Sequence, residues 1–131
     1  MELPSILIID DEADLQTTLK SVLKNKYRAT AVSSGLEGLS ELKNHAFDLV
    51  ISDIKMPVMD GLEVLKKIKE IDPTLPVIML TGSLEIRSAV EAMRAGAEDY
   101  LCKPFDKDEL LAVIEKVLEK RDLQKENRAL R

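Results

Sequence analysis

The sequence predicts a doubly wound α/β domain, in which helices cover both faces of a five-stranded parallel sheet. Short apolar runs alternate along the chain with longer segments that have the period of an amphipathic helix. Several of the short runs are apolar at consecutive positions, which is typical of strands that are covered on both faces. Because crossovers between parallel strands are right-handed, few strand orders are possible, and we expect the common order 2-1-3-4-5.

Five short apolar runs are the predicted strands. Each is bounded by polar or turn-forming residues, as strands of a compact domain are. In chain order the predicted strands are Ser5–Ile9, Tyr27–Val32, Asp48–Ser52, Pro76–Leu80 and Glu98–Cys102.

Each predicted strand is followed by a predicted helix, which shows as apolar residues three or four positions apart. Gly96 is suited to the left-handed residue that ends the fourth helix. Asp106 is a suitable N-cap for the fifth helix, with Glu109 three residues on. The apolar positions are, helix by helix, Leu15, Leu19, Val22 and Leu23; Leu36, Leu39 and Leu42; Leu62, Leu65 and Ile68; Ile86, Ala89, Val90 and Met93; and Leu110, Leu111, Ile114, Val117 and Leu118.

The composition is that of an ordinary globular domain, with 45% hydrophobic and 33% charged residues among 131. A net charge of −5 argues against nucleic-acid binding by this segment. No apolar run reaches the roughly 20 residues that cross a bilayer, and the N-terminus lacks the layout of a signal peptide. The single cysteine, Cys102, excludes an internal disulfide and is expected to pack inside its strand. Together these features predict a cytoplasmic protein without membrane contact.

Polar side chains follow the predicted strands at their carboxyl ends, where ligands bind in a doubly wound sheet. The first strand is followed by Asp10 and Asp11, the third by Asp53, the fourth by Thr81 and the fifth by Lys103. Carboxylates packed together repel one another unless a cation joins them, and an all-oxygen ligand set favours a hard ion such as Mg²⁺. In the alternative interpretation, Asp10 and Asp11 only cap the first helix, which leaves Asp53 unexplained.

These residue types also suit chemistry at phosphorus. A carboxylate beside Mg²⁺ can attack a phosphoryl group and form an acyl phosphate. Lys103 supplies a cation and Thr81 a hydroxyl for the phosphoryl oxygens. Alternatively, Lys103 is a surface charge beside a turn, and Thr81 is the N-cap of the fourth helix.

Four motifs resemble those of the receiver domain of bacterial two-component response regulators. They are IIDDE at 8–12, DIKMPVMDG at 53–61, LTG at 80–82 and DYLCKPF at 99–105, in the order and at the spacing of that family. The resemblance extends from residue 5 to about residue 120 and implies the flavodoxin-like fold of receivers.

The resemblance implies a role for each site residue. Asp53 would be the phosphoacceptor, taking a phosphoryl group from a sensor histidine kinase. Asp11 and Asp53 would bind Mg²⁺ directly, together with the backbone carbonyl of Lys55, and Asp10 would act mostly through water. Lys103 would pair with the phosphoryl group.

The resemblance also implies a switch. Thr81 would move toward the phosphoryl group and Tyr100 would follow it inward, changing the face formed by the fourth helix, the fifth strand and the fifth helix. In the alternative, Tyr100 is simply a half-buried tyrosine on an edge strand. Lys55 and Ser83 occupy positions that tune how long the phosphoryl group persists, and the Lys103–Pro104 peptide is expected to be cis.

The last residues predict a helical linker. Residues 1–120 would form the receiver, and residues 121–131 would begin a linker to an output domain that is absent from this chain. Leu123, Asn127 and Leu130 follow one another at helical spacing as a short dimerising seam, with a solvated helix end as the alternative. The tail resembles the linker of sigma-54-dependent, enhancer-binding activators, which implies a homodimer and control of transcription; the alternatives are a receiver from another kind of regulator and a free-standing receiver.

Two other functions use a similar fold. One is a Mg²⁺-dependent aspartyl-phosphate phosphatase of the haloacid-dehalogenase kind. That class has an Asp-x-Asp motif after the first strand, whereas Asp10 and Asp11 are adjacent here. A flavodoxin-type cofactor binder needs a phosphate-binding loop after that strand, and the sequence has none there. His45, the only histidine, is expected on the surface, which excludes a histidine phosphodonor.

Overall fold

The protein is described by a computed structural model, which covers residues 3–82 and 86–129; the side chains of residues 86 and 124–129 are outside the description. Five strands alternate with five helices within these residues. The elements are β1 (Ser5–Ile9), α1 (Ala13–Leu23), β2 (Arg28–Val32), α2 (Gly35–Asn44), β3 (Leu49–Asp53), α3 (Gly61–Ile71), β4 (Val77–Thr81), α4 (Ile86–Arg94), β5 (Asp99–Cys102) and α5 (Lys107–Ala129).

All strand pairs are parallel, and the strand order is β2-β1-β3-β4-β5. The predicted fold class and strand order are therefore confirmed. The strand bounds differ by a residue at several ends, and two of these differences bear on function. Asp53 and Thr81 were predicted to follow their strands, but each is the last residue of its strand, paired with Leu80 and Cys102 respectively.

The sheet is covered on both faces by separate apolar clusters. One face packs against α2, α3 and α4, and the other against α1 and α5. Every residue of β3 and β4 is buried, because neighbouring side chains along these strands enter opposite clusters. This double burial explains why the central strands lack an alternating pattern.

The helix ends follow the predicted chemistry where the sequence offers it. The Asp106 carboxylate accepts a hydrogen bond from the backbone N–H of Glu109 at 2.8 Å, as expected of an N-cap. Gly96 follows α4 with φ of 110°, the left-handed conformation that favours glycine. Among the described helices, none combines the length and the apolar character that crossing a bilayer requires.

Candidate functional site

The carboxyl ends of four neighbouring strands bring the predicted site residues to one edge of the sheet. The register pairs Ile9 with Ser52 across β1 and β3, so Asp10 and Asp53 both follow directly from that level. Thr81 ends β4 beside β3, and Lys103 comes directly after β5. Residues from four separate segments therefore meet because the sheet is parallel and its strands end in register.

Asp10, Asp11 and Asp53 form a cluster that we call the acid cluster. Each offers one carboxylate oxygen, and these oxygens all lie within 4.8 Å of one another. Asp10 is fully buried and Asp53 is 6% exposed, whereas Asp11 is exposed. The cluster thus opens to solvent on the Asp11 side.

The acids of this cluster fit a hard cation. The Asp10 Oδ1 atom accepts a hydrogen bond from the Glu12 N–H at 2.9 Å, but the buried Oδ2 atom has no hydrogen-bond partner among the described residues. Burial raises the pKa of Asp10, and this effect outweighs the Glu12 N–H and the charge of Lys103, which lower it. A hard cation such as Mg²⁺ would stabilise a buried carboxylate that lies beside two others.

Lys103 is the cation that faces the acid cluster. Its Nζ atom donates a hydrogen bond to Asp53 Oδ2 at 3.1 Å and lies 3.6 Å from Asp10 Oδ2 and 3.8 Å from Glu12 Oε1. Burial lowers the pKa of Lys103, but the hydrogen bond and charge of Asp53, with the charges of Asp10 and Glu12, outweigh it and leave the pKa raised. The lysine is therefore held in its charged form, and it is no freely solvated surface charge.

Asp53 is under opposing influences. Burial raises its pKa most, and the Asp11 charge raises it further. The Lys103 ammonium and the Lys55 N–H, which donates to Asp53 Oδ1 at 3.3 Å, lower it without reversing the direction. A buried carboxylate with a raised pKa beside a specific cation partner marks a candidate functional residue.

The loop between β3 and α3 folds tightly back on Asp53. The Gly61 N–H donates to the Ile54 carbonyl at 2.6 Å, and a side chain at Gly61 would overlap the carbonyl oxygen of Asp53. Within this loop Val58 has φ of 70° and is 96% exposed. The glycine of the DIKMPVMDG motif is therefore required by close backbone approach, which holds Lys55 next to the acid cluster.

The predicted switch residues border a cavity between α4 and β5. Thr81 is 2% exposed at the end of β4, and Tyr100 is 46% exposed on the edge strand β5. The cavity has a volume of about 360 Å³, and most of the surface that lines it is apolar. It is lined by Thr81, Gly82, Ala89, Val90, Met93, Arg94, Tyr100 and Cys102. Ser83 lies outside the described residues.

Three predictions on single residues have different outcomes. Cys102 was expected to pack inside its strand, which is wrong: it is exposed, because β5 is an edge strand and ends there. His45 is exposed at the end of α2, with Nε2 at 3.6 Å from Glu41 Oε2. The Lys103–Pro104 peptide is cis, as the resemblance implies.

Two side chains near the acid cluster were not predicted. Glu12 contributes a further charge near Lys103, and Gln16 bonds to the backbone at the ends of β1 and β2. The sequence does carry a signal for Gln16, since it lies three and seven positions before the buried Leu19 and Leu23. A polar residue on the apolar face of a helix needs buried partners.

The fold and the acid-lined strand edge define a small doubly wound α/β domain with a candidate site for a hard cation. The sequence model described as "Response regulator receiver domain" matches residues 6–115, and the chain belongs to that family.

Three known proteins illustrate the similarity. The C4-dicarboxylate transport transcriptional regulatory protein DctD of Rhizobium meliloti is 41% identical over 129 residues, which are 98% of this chain and 28% of that protein. The transcriptional regulatory protein ZraR of Escherichia coli is 40% identical over 114 residues, 86% of this chain and 26% of that protein. A crystal structure of a response regulator receiver domain protein from Clostridium thermocellum has a TM-score of 0.89 at 35% identity, over 93% of this chain and 99% of that one. The chain thus spans about a quarter of the length of these curated relatives.

Proposed function

We propose that this receiver domain is a switch controlled by phosphorylation of Asp53, with a sensor histidine kinase as the phosphodonor. The observation that carries the proposal is the position of the Asp53 carboxylate, which lies 3.1 Å from the Lys103 ammonium and offers an oxygen within 4.8 Å of an oxygen from each of the two other acids. In the transfer, an Asp53 oxygen forms a bond to phosphorus as the bond from phosphorus to the donor's imidazole nitrogen breaks. The imidazole leaves with that electron pair, and Asp53 carries an acyl phosphate.

The acid cluster would hold Mg²⁺. Asp11, Asp53 and the Lys55 carbonyl would be its protein ligands, and Asp10 would act mostly through water. When bound, the ion offsets the repulsion among the acids and neutralises charge on the phosphoryl oxygens. The assignment is supported by the buried Asp10 Oδ2 atom, which has no hydrogen-bond partner among the described residues, and by the exposed Asp11, which leaves the site open to solvent.

Lys103 would bind the phosphoryl group from the other side. Its Nζ atom already lies within reach of both Asp10 and Asp53, so a short movement brings it to a phosphoryl oxygen on Asp53. Its side chain is 24% exposed, which leaves room for that movement. The lysine thus supplies the positive charge that the transferred group needs on arrival.

Thr81 and Tyr100 would transmit the change. A phosphoryl group adds about −1.5 to −2 charges and new acceptor oxygens at the strand edge. The Thr81 hydroxyl would move to donate to it, and Tyr100 would enter the cavity between α4 and β5. The apolar cavity beside an exposed Tyr100 supports this step, because the ring has a space to occupy. The face formed by α4, β5 and α5 would then differ between the two states.

The output is proposed to be transcription, through a domain joined to α5. Residues 1–120 would be the receiver and residues 121–131 the start of the linker. The helix α5 runs unbroken to Ala129, and Leu123 is 55% exposed, which supports a helical linker available for dimerisation. Asn127 and Leu130, the rest of the predicted seam, lie outside the described side chains. A sigma-54-dependent activator, acting in the cytoplasm as a homodimer, is the proposed context, in keeping with the transcriptional regulators among the relatives.

Chemical phosphorylation tests the proposal directly. The protein is incubated with Mg²⁺ and acetyl phosphate, and its intact mass is measured with time. We expect one added phosphoryl group, which is lost in the Asp53→Asn variant and retained in Asp14→Asn, a control that removes an exposed acid of α1 near the same edge. Continuous release of phosphate from many organic phosphates, without a labelled protein, would instead indicate the phosphatase.

A phosphoryl mimic tests the switch. Beryllofluoride with Mg²⁺ should change the solution mass of the protein, measured by light scattering, if the modified face or the tail controls dimerisation. The Asp53→Asn variant is the control, because it lacks the carboxylate that binds the mimic. An unchanged mass, together with an unchanged environment of Tyr100 by NMR, would contradict the proposed switch.

A further inference from the structure

The side-chain nitrogen of Gln16 lies within hydrogen-bond distance of three acceptors, which share its two N–H groups. The Gln16 Nε2 atom lies 2.6 Å from the Asp10 carbonyl oxygen, 3.0 Å from the Val32 carbonyl oxygen and 3.1 Å from Ser33 Oγ. The two carbonyls can only accept, so the amide nitrogen and not the oxygen must face them. The side chain is half-buried in the first turns of α1.

These bonds join three segments beneath the acid cluster. The Asp10 carbonyl belongs to the turn that leads from β1 into α1, and Val32 is the last residue of β2. The Val32 carbonyl also accepts from the Asp10 N–H at 3.1 Å. The turn that carries Asp10 and Asp11 is therefore tied to β2 through both its N–H and, by way of Gln16, its carbonyl.

The start of α1 needs such a tie. Its N-cap residue is Glu12, whose side chain makes no capping hydrogen bond within the described chain. The comparable start of α3 is held by Asp60, whose Oδ1 accepts from the Glu63 N–H at 3.0 Å. The start of α1 is thus held by the Asp10 Oδ1 bond to the Glu12 N–H and by Gln16 rather than by a side-chain cap, and Asp11 lies in the turn directly before it.

The tie continues into α2. The Ser33 N–H donates to Glu37 Oε2 at 3.5 Å, and Ser34 caps α2 by accepting from the Glu37 N–H at 3.2 Å. Gln16 is thereby connected through Ser33 to a second helix terminus. A displacement of the turn with Asp10 and Asp11 would disturb this whole set of polar contacts.

We propose that Gln16 is a positioning residue for Mg²⁺ binding: it fixes the turn that presents Asp10 and Asp11 at the right separation from Asp53. The inference rests on the proposed function, because it assigns Gln16 to the same metal site. Gln16 does not touch the ion; it acts through the Asp10 carbonyl. Groups that orient metal ligands typically alter metal affinity by roughly 10- to 100-fold when they are removed.

The Gln16→Met variant tests this role, because methionine has a similar length and no donor. Mg²⁺ binding is measured by isothermal titration calorimetry, and labelling by acetyl phosphate is measured over a range of Mg²⁺ concentrations. We expect the dissociation constant for Mg²⁺ and the Mg²⁺ concentration for half-maximal labelling to rise by about 10-fold. The labelling rate at saturating Mg²⁺ should return close to that of the unmodified protein.

Thr17→Val is the matched control. Thr17 is the next residue of α1, and its exposed hydroxyl donates only to the Ala13 carbonyl at 3.1 Å, within the helix. Its Mg²⁺ affinity should be unchanged. A Gln16→Met protein that loses thermal stability but binds Mg²⁺ normally would overturn the proposal, since Gln16 would then serve stability alone.

Two further measurements keep the outcome clear if Gln16→Met does not fold. Ser33→Ala removes one of the three acceptors and should weaken Mg²⁺ binding by less than Gln16→Met is expected to. In the unmodified protein, the NMR signal of the Gln16 side-chain amide should shift when Mg²⁺ is added; an unshifted signal, with Mg²⁺ demonstrably bound, would contradict the inference. Failure of the proposed function would look different, because the unmodified protein would then neither bind Mg²⁺ nor be labelled.

Discussion

The aspartates at the two edges of the sheet differ in how completely their carboxylates are hydrogen-bonded. At the amino edge, where β1 and β3 begin, both carboxylate oxygens of Asp48 are bonded. Oδ2 accepts from the Ser5 N–H at 2.8 Å, and Oδ1 accepts from Arg121 Nη1 at 3.2 Å. The same Arg121 nitrogen donates to the Asp48 carbonyl at 2.7 Å. These bonds attach α5 to the central strands, although the buried Arg121 Nε atom has no hydrogen-bond partner among the described residues.

At the carboxyl edge, the acids are left incompletely paired. One lysine, Lys103, faces Asp10, Glu12 and Asp53, and the buried Asp10 Oδ2 lacks a hydrogen-bond partner within the described part of the chain. Burial raises the pKa of both Asp10 and Asp53. The comparison concerns the carboxylates: both oxygens of Asp48 accept hydrogen bonds, whereas Asp10 and Asp53 share one lysine and have raised pKa values. Under the proposed function, the incompletely paired acids are the ones that would meet a cation and a phosphoryl group.

Asp10→Asn should produce the largest change and should separate the two roles of the carboxyl edge. Mg²⁺ affinity should fall by about 100-fold, because one of the three acids is lost. The free energy of unfolding without metal should rise by about 1 kcal/mol, because burial disfavours the charged form of Asp10 in spite of the Lys103 ammonium at 3.6 Å. Calorimetric titration and urea unfolding in EDTA measure these effects. Asp14→Asn, which makes the same charge change on the surface, should show neither; a metal-free Asp10→Asn protein that is less stable would contradict this view of the edge.

Arg121→Met should affect only the amino edge. Methionine keeps much of the packing but removes both hydrogen bonds to Asp48, so the free energy of unfolding should fall by about 1 to 2 kcal/mol. Mg²⁺ affinity should not change, because the residue lies at the opposite edge. Lys120→Met is the matched control: its Nζ atom lies 3.6 Å from Glu98 Oε2 with a side chain that is 63% exposed, and such pairs contribute about 0 to 1 kcal/mol. A loss of Mg²⁺ binding in Arg121→Met would show that the two edges are coupled.

The sequence predicts the fold well because the fold depends on local patterns. The unbroken apolar runs of β3 and β4 indicate burial on both faces, and right-handed crossovers then limit the strand order. The same topology places Asp10, Asp53, Thr81 and Lys103 at one edge without knowledge of any side-chain contact. A site built from strand ends is therefore accessible to sequence reasoning.

What the sequence does not predict depends on tertiary contacts between distant residues. Arg121 and Asp48 are 73 positions apart, and nothing in either local pattern pairs them. Cys102 reads as an interior strand residue, but its exposure depends on β5 being an edge strand that ends there. The three acceptors near Gln16 come from the ends of two strands. The sequence can therefore indicate that a polar residue lies on the apolar face of α1, but it does not predict which groups that residue contacts.

The pH dependence of stability gives the smallest expected effect and the most direct view of the carboxyl edge. Because the pKa of Asp53 is raised in the folded protein from its ordinary value of 3.8, the folded state binds the proton more tightly than the unfolded state. The stability that this proton contributes is fully present below pH 3.8 and is lost as the pH rises through the folded pKa. Asp53→Asn mimics the protonated acid, so in EDTA its stability relative to the unmodified protein should grow over that interval, measured by urea unfolding at a series of pH values.

The difference in stability between the two proteins removes the contribution of other carboxylates. One of them is Asp72, whose pKa is shifted the opposite way, downward, by its hydrogen bond from Thr74. Saturating Mg²⁺ should reverse the difference in stability, because the ion binds only the ionised acid. A difference that is independent of both pH and Mg²⁺ would mean that burial of the ionised Asp53 does not lower the stability of the folded protein.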